Sequence, residues 1–128
     1  MILKKIIFQS FRSYSKKELD LFSGTNLVVG LNTVGKTNLL EGIYLLSRGK
    51  SFRAGIEQEM ISYQEEIGRV GAEVIVGSGE EKVKLEIVLT GGQVGGERVG
   101  RKKYLVNGVA KRKMDFVGHL RCVLFRPE

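Results

Sequence analysis

The sequence predicts an α/β fold in which a β/α core carries an antiparallel, β-rich portion, and three observations predict it. A short apolar run at residues 26–29 indicates a buried strand, and apolar residues at helical spacing follow it over about 36–47. Between about 69 and 110 the apolar residues recur with a period of two, which is typical of half-buried antiparallel strands. At 128 residues the chain has the size of one domain, 1–128, and can bury a core of its own.

The N-terminal half is predicted to begin with two antiparallel strands. Apolar residues and turn signals place the strands of the whole chain at about 2–8, 17–22, 26–29, 69–76, 82–89, 103–106, 109–110 and 120–125. Residues 9–14 are mostly polar and indicate a turn with Arg12 at its centre. The helix should end near Gly49, which can adopt the left-handed conformation that closes a helix, and a basic loop follows at 50–53.

The C-terminal half is predicted to consist of hairpins. Gly77 opens the turn between the two long strands, and the glycine-rich residues 91–97 predict a flexible loop that forms a mobile hairpin tip. Asn107 followed by Gly108 is a strong signal for a tight hairpin turn. Residues 56–63 and 113–118 each predict no more than a short helical turn.

Between the strand at 26–29 and the helix lies the pattern G-x-x-x-x-G-K-[ST], which is typical of a phosphate-binding loop. Its residues are Gly30, Leu31, Asn32, Thr33, Val34, Gly35, Lys36 and Thr37. Gly30 and Gly35 let consecutive N–H groups face a phosphate, and the dipole of the following helix adds to the attraction. Lys36 can bind the β- and γ-phosphates, and the Thr37 hydroxyl can ligate Mg²⁺. We predict a nucleotide site here that extends to Asn38; the alternative is a chance match in a glycine-rich chain.

Charge and composition limit the classes of partner and environment. The net charge of +7 and the pI near 9.7 predict a polyanionic partner, although a solvated basic surface is an alternative. Cys122 is the only cysteine, so we expect no internal disulfide. We expect Cys122 itself to be buried as a small hydrophobic residue. The chain has neither a long apolar run nor a signal-peptide pattern, so we expect a soluble, cytoplasmic protein.

Residues 6–14 followed by 26–41 resemble the start of the SMC/Rad50/RecF class of ABC-type ATPases. Residues 41–53 and 123–128 are similar to the bacterial RecF family of recombination mediators in particular. The resemblance implies a partial fold, an ABC-type P-loop NTPase lobe, with ATP and Mg²⁺ as cofactors. It also implies that Arg12 and Ser13 contact the nucleotide phosphates; the alternative for Arg12 is a solvated turn residue.

The resemblance also implies a function in DNA repair, recombination, replication and the SOS response. Members bind single- or double-stranded DNA, help load recombinase at single-strand gaps, act with RecR and RecO, and dimerise head to tail around ATP. They are longer than this chain, and their Walker B strand and signature motif lie beyond its last residue. The only aspartates here, Asp20 and Asp115, do not end apolar strands. We therefore expect this chain alone to be a monomer that binds nucleotide weakly without hydrolysing it.

Basic residues around the hairpin of Tyr104 are candidates for contacts with DNA phosphates. They are Arg98, Arg101, Lys102, Lys103, Lys111, Arg112 and Lys113. No base-reading helix accompanies them, so binding should be largely independent of sequence. The alternatives are a solvated hairpin, or a module that docks on RecR and has an idle phosphate loop. Another SMC/Rad50-like head also fits, whereas a GTPase or small kinase is disfavoured because no Asn-Lys-x-Asp motif or Walker B carboxylate is present.

Overall fold

The computed structural model describes residues 2–21, 35–77 and 81–123. In chain order, the elements are β1 (Ile2–Phe11), β2 (Tyr14–Asp20), α1 (Gly35–Arg48), a 3-10 helix (Glu57–Met60), β3 (Ile67–Val76), β4 (Glu81–Thr90), β5 (Gln93–Val94), β6 (Glu97–Arg98), β7 (Lys102–Val106), β8 (Val109–Lys111) and α2 (Lys113–Phe116). The predicted strand at 26–29 and residues 30–34 of the predicted phosphate-binding loop lie outside the described residues. No helix within the described ranges is long and apolar enough to cross a membrane.

Six of the strands form one antiparallel sheet in the order β2-β1-β3-β4-β7-β8. In register across it, Phe8 pairs with Val70, Val70 with Ile87, and Ile87 with Tyr104. Because paired residues of antiparallel strands project to the same side, this row forms one apolar face. Phe8, Val70 and Ile87 are fully buried, so this face is the core face of the sheet.

Helix α1 packs closely against the core face. Leu39, Leu45 and Leu46 are buried along one side of the helix and belong to the same hydrophobic cluster as the sheet. At Gly42 the helix backbone approaches the ring of Phe8 so closely that an added Cβ would lie 2.3 Å from the ring carbon Cε1. Glycine at this position therefore sets the distance between α1 and the sheet.

The C-terminal end of α1 is tied to β7. Gly49 has φ +76° and donates its N–H to the carbonyl of Leu45 at 2.7 Å, which closes the helix. The carbonyl oxygen of Gly49 accepts hydrogen bonds from Lys102 Nζ at 2.9 Å and from the Tyr104 hydroxyl at 3.0 Å. The C-terminal end of α1 is thereby held against the sheet.

The N-terminal hairpin differs from the prediction in its turn. The sequence predicted a polar turn over 9–14 and a second strand over 17–22, whereas β1 continues to Phe11 and β2 begins at Tyr14. Phe11 pairs with Tyr14 across the hairpin. Its aromatic side chain is fully buried and adds to the core, which favours extending the strand this far. The turn is thus reduced to Arg12 and Ser13.

The glycine-rich residues 91–97, predicted as a mobile hairpin tip, contain the turn of the short hairpin β5–β6, because Gly95 and Gly96 adopt the positive φ values, +58° and +83°, that a tight turn requires. One expectation for the C-terminal half is wrong. The predicted strand at 120–125 is not a strand over its described part, 120–123. Leu120 is buried there, but Val123 is 76% exposed and Cys122 is only partly buried.

Candidate nucleotide-binding site

Three residues of the predicted phosphate motif form the start of α1. Gly35, Lys36 and Thr37 are its first residues; Lys36 is partly exposed and Thr37 is exposed. The first turn contains no acidic side chain, so nothing in it opposes the positive potential of the helix N-terminus. This end of the helix is therefore suited to an anion.

One turn further along α1, the carboxylate of Glu41 is fully buried and joins three segments of the chain. Arg12, in the β1–β2 turn, donates from Nε to Oε1 and from Nη2 to Oε2, both at 2.8 Å. Arg53 donates from Nη2 to Oε1 at 2.9 Å, and the Ser51 hydroxyl donates to Oε2 at 2.5 Å. We refer to Arg12, Glu41, Ser51 and Arg53 as the Glu41 cluster.

Asn38 connects the Glu41 cluster to the first turn of α1. Its side-chain oxygen accepts a hydrogen bond from Arg53 Nη2 at 2.6 Å, and its Nδ2 donates to Ser13 Oγ at 2.8 Å. Because Asn38 directly follows Thr37, these bonds hold the β1–β2 turn beside the start of the helix. The predicted site residues Arg12, Ser13 and Asn38 are thus brought together with Lys36 and Thr37.

Burial alone would raise the pKa of Glu41, because it disfavours the charged form. The hydrogen bonds from Arg12, Arg53 and Ser51, together with the charge of Arg12, outweigh that effect and lower the pKa of Glu41 to about 2. The carboxylate is therefore ionised at neutral pH. The Glu41 cluster then contains two guanidinium cations and one anion, and it carries a net positive charge.

Arg12 is not a solvated turn residue. Its side chain is only 23% exposed, and its carboxylate partner is fully buried. Its backbone N–H donates to the carbonyl of Met60 at 2.8 Å, and its carbonyl accepts from the Ser62 hydroxyl at 2.7 Å. Both the backbone and the side chain of Arg12 are therefore fixed by other parts of the fold.

The described residues fit a magnesium nucleotide. The helix N-terminus lacks acidic groups, Lys36 and Arg12 supply positive charge, and the exposed Thr37 hydroxyl is a hard oxygen ligand of the kind Mg²⁺ prefers. Residues Gly30, Leu31, Asn32, Thr33 and Val34 complete the sequence motif but lie outside the described ranges.

A family model described as the RecF/RecN/SMC N terminal domain matches residues 2–128. The chain belongs to this family. Its fold resembles the SMC head domain from Thermotoga maritima, with a TM-score of 0.68 and 23% identity over 90% of this chain and 40% of that one. The predicted fold class, an α/β P-loop NTPase lobe of the ABC type with an antiparallel β-rich portion, is confirmed.

Within the family, the similarity is to RecF proteins. The DNA replication and repair protein RecF of Shouchella clausii is 37% identical over all of this chain and 32% of its own length. The solved structure of the recombination mediator protein RecF-ATP in the RecFOR pathway has a TM-score of 0.85 and 35% identity, over 98% of this chain and 32% of that one. The chain thus spans about a third of the length of these RecF relatives.

Sequence reasoning missed Glu41, Ser51 and Arg53 as site residues. The sequence did contain a signal. Glu41 lies on the same side of the helix as Asn38 and Leu45, and a carboxylate on a buried helix side needs a polar or charged partner. Its partners are not readable from local sequence, since Arg12 lies 29 positions away. The basic loop at 50–53 belongs to the site through Ser51 and Arg53.

The predicted DNA-contacting residues do not form one surface. Lys102 faces inward: its side chain is 18% exposed, it donates to Gly49, and it lies 3.7 Å from Glu57. Its ammonium group is therefore engaged within the fold, and burial lowers the pKa of Lys102. Arg112 pairs with Asp115 at 3.1 Å. Lys103, Lys111, Lys113, Arg98 and Arg101 are exposed.

Proposed function

We propose that this chain is the ATP-binding part of a RecF-like DNA repair and recombination mediator ATPase. The observation that carries the proposal is the convergence of Arg12 and Ser13 with the first turn of α1, through Asn38 and Glu41. Two segments far apart in the sequence thus place charged and polar groups at one helix N-terminus. The similarity to a RecF protein solved with ATP supports the same assignment.

Each group has a separate role in holding the triphosphate. Lys36 neutralises the β- and γ-phosphates as a mobile point charge, while Arg12 offers a guanidinium whose orientation is already fixed. Thr37 would contribute a hydroxyl ligand to Mg²⁺, and the ion would neutralise part of the phosphate charge. The helix N-terminus adds backbone N–H groups to the same anion.

We expect binding without measurable hydrolysis by this chain alone. Hydrolysis needs a carboxylate or amide that orients water or metal beside the γ-phosphate. Asp20 is 83% exposed and lies near Lys5, and Asp115 pairs with Arg112, so neither aspartate is buried at the start of α1. Glu41 is already engaged by two arginines. We propose that another part of a whole protein of this family supplies this group.

A titration with a fluorescent ATP analogue tests the proposal. Replacing Lys36 with alanine removes charge-assisted contacts worth about 1.5 to 3 kcal/mol and should weaken affinity at least about tenfold. Lys50→Ala, an exposed lysine after α1, serves as the control and should leave affinity unchanged. Equal affinity of wild type and Lys36→Ala would reject the nucleotide site, and steady phosphate release by the wild-type chain would reject the absence of hydrolysis.

The face of the sheet opposite the core supports DNA binding as a second function. In register, Lys16 pairs with Gln9, Gln9 with Arg69, Arg69 with Val88, and Val88 with Lys103. Lys16, Arg69 and Lys103 therefore lie in one row on alternate strands. The spacing between strands places neighbouring basic residues of this row roughly 10 Å from each other. Such a row can follow a phosphate backbone without reading bases.

Retention on single- and double-stranded DNA at increasing salt tests this surface. Lys103→Ala should lower the slope of log affinity against log salt by about 1, whereas Lys102→Ala should not change it. Retention that does not depend on salt would contradict an electrostatic contact.

We further propose that the whole protein acts in the cytoplasm, dimerises around ATP and works with RecR and RecO.

The competing function is a module that docks on RecR while its phosphate loop is idle. A pull-down with purified RecR, with and without ATP, separates the two functions. Capture that ignores ATP, together with no effect of Lys36→Ala, would favour the docking module.

A further inference from the structure

The Glu41 cluster is more elaborate than packing requires. One buried carboxylate accepts four hydrogen bonds from three side chains, and these come from the β1–β2 turn and from the loop after α1. Replacing a buried ion cluster by apolar groups of similar volume is commonly neutral or stabilising. The cluster is thus poorly explained as a device for stability alone.

The backbone conformation of Arg12 also indicates a role beyond stability. Arg12 has φ +52° and holds the first central position of the two-residue turn between Phe11 and Tyr14. A tight turn with positive φ there ordinarily uses glycine, because a Cβ is strained in this conformation. An arginine at this position indicates that its side chain is needed, and the Glu41 carboxylate is what that side chain contacts.

The contact fixes the direction of the guanidinium. A bidentate bond through Nε and Nη2 aligns the plane of Arg12 with the carboxylate, leaving one rigid orientation. Glu41 belongs to the helix that begins with Lys36 and Thr37, and it lies four residues, or roughly 6 Å, beyond Thr37 along the axis. Arg12 is therefore held against α1, the same helix that carries Lys36 and Thr37.

We propose that Glu41 is a positioning residue for nucleotide binding: it clamps Arg12 and Arg53 against α1, so that Arg12 meets the phosphates already oriented. The second arginine keeps the cluster net positive, so the carboxylate orients Arg12 without cancelling the attraction for an anion. Arg53 also holds the Asn38 side chain that bonds Ser13, which links orientation to the first helical turn. The proposal rests on the proposed function, because it concerns the same site.

A double-mutant cycle on ATP affinity tests it. The variants are Glu41→Gln, Arg12→Ala and the double variant, with fluorescent-ATP affinity and thermal unfolding without nucleotide measured for each. Glu41→Gln should weaken ATP binding about tenfold in the wild-type background and leave it unchanged when Arg12 is already alanine. An equal loss in both backgrounds would show that Glu41 acts on the fold alone and would overturn the proposal.

A milder variant covers the case in which Glu41→Gln does not fold. Ser51→Ala removes one hydrogen bond to Glu41 without leaving a charge unpaired, and it should weaken ATP binding about two- to threefold only when Arg12 is present. Unchanged affinity of folded Ser51→Ala would count against positioning. If Lys36→Ala also leaves affinity unchanged, the proposed function itself fails; if Lys36→Ala weakens binding and the Glu41 and Ser51 variants do not, only this inference fails.

Discussion

The Glu41 cluster and the basic hairpin β7–β8 both contain charged residues, but in opposite arrangements. In the cluster, arginines that are distant in the sequence converge on one buried carboxylate. In the hairpin, the adjacent residues Lys102 and Lys103 project to opposite faces, and Lys102 alone turns inward. Adjacent positions in the sequence therefore do not place the two lysines on one surface, whereas tertiary packing brings distant arginines to one carboxylate.

Burial also separates the two regions energetically. The Arg112–Asp115 pair, which follows the hairpin directly, has side chains that are 77% and 49% exposed, and surface pairs of this kind contribute at most about 1 kcal/mol. Glu41 is fully buried, so removing its charge leaves two arginines without their partner. Changes at the cluster should consequently have the larger effects.

The largest expected effect is on stability as a function of pH. The pKa of Glu41 is about 2 in the folded state, below its ordinary 4.5, so the carboxylate stabilises the fold above pH 4.5 and loses that contribution as pH falls towards 2. Glu41→Gln should lower the free energy of unfolding by about 3 kcal/mol at pH 7. Urea unfolding between pH 7 and pH 3 should show this difference shrinking at acid pH.

Glu97→Gln, on an exposed position of β6, is the matched control and should unfold like the wild type. A difference between wild type and Glu41→Gln that stays constant across this pH range would contradict the role of the ionised carboxylate.

The next effect concerns the close packing that places the cluster. In Gly42→Ala, the added Cβ overlaps the fully buried ring of Phe8, and neither the ring nor the helix can move without disturbing the core. We expect a loss of about 1 to 3 kcal/mol in the free energy of unfolding. Gly100→Ala places a Cβ where no atom lies within 4 Å and should be nearly neutral. Equal melting temperatures for the two variants would disprove the close approach.

The smallest effect distinguishes the two faces of the hairpin. Lys102→Met removes the hydrogen bond to the Gly49 carbonyl and should cost about 1 kcal/mol, while Lys103→Met should stay within about 0.5 kcal/mol of wild type. Thermal unfolding at matched salt measures both. A larger loss for Lys103→Met would reverse the assignment of the two side chains.

Periodicity and turn chemistry account for most of the fold that could be predicted. The helix after the phosphate motif spans Gly35–Arg48, against a prediction of 36–47, and the turn at Asn107 and Gly108 joins β7 to β8. These features depend on neighbouring residues, so a local pattern contains them. The strand predicted at 120–125 is absent over 120–123, because pairing partners, rather than local composition, decide whether such a segment forms a strand.

The sequence by itself determined the start of the site, since Lys36 and Thr37 follow a glycine motif whose spacing fits a phosphate at a helix N-terminus. Only the tertiary structure decided what surrounds it. Glu41 contacts Arg12 across 29 positions and Arg53 across 12, and these contacts depend on how α1 packs on the sheet. A buried charge needs a partner, but the fold alone selects which residue that partner is.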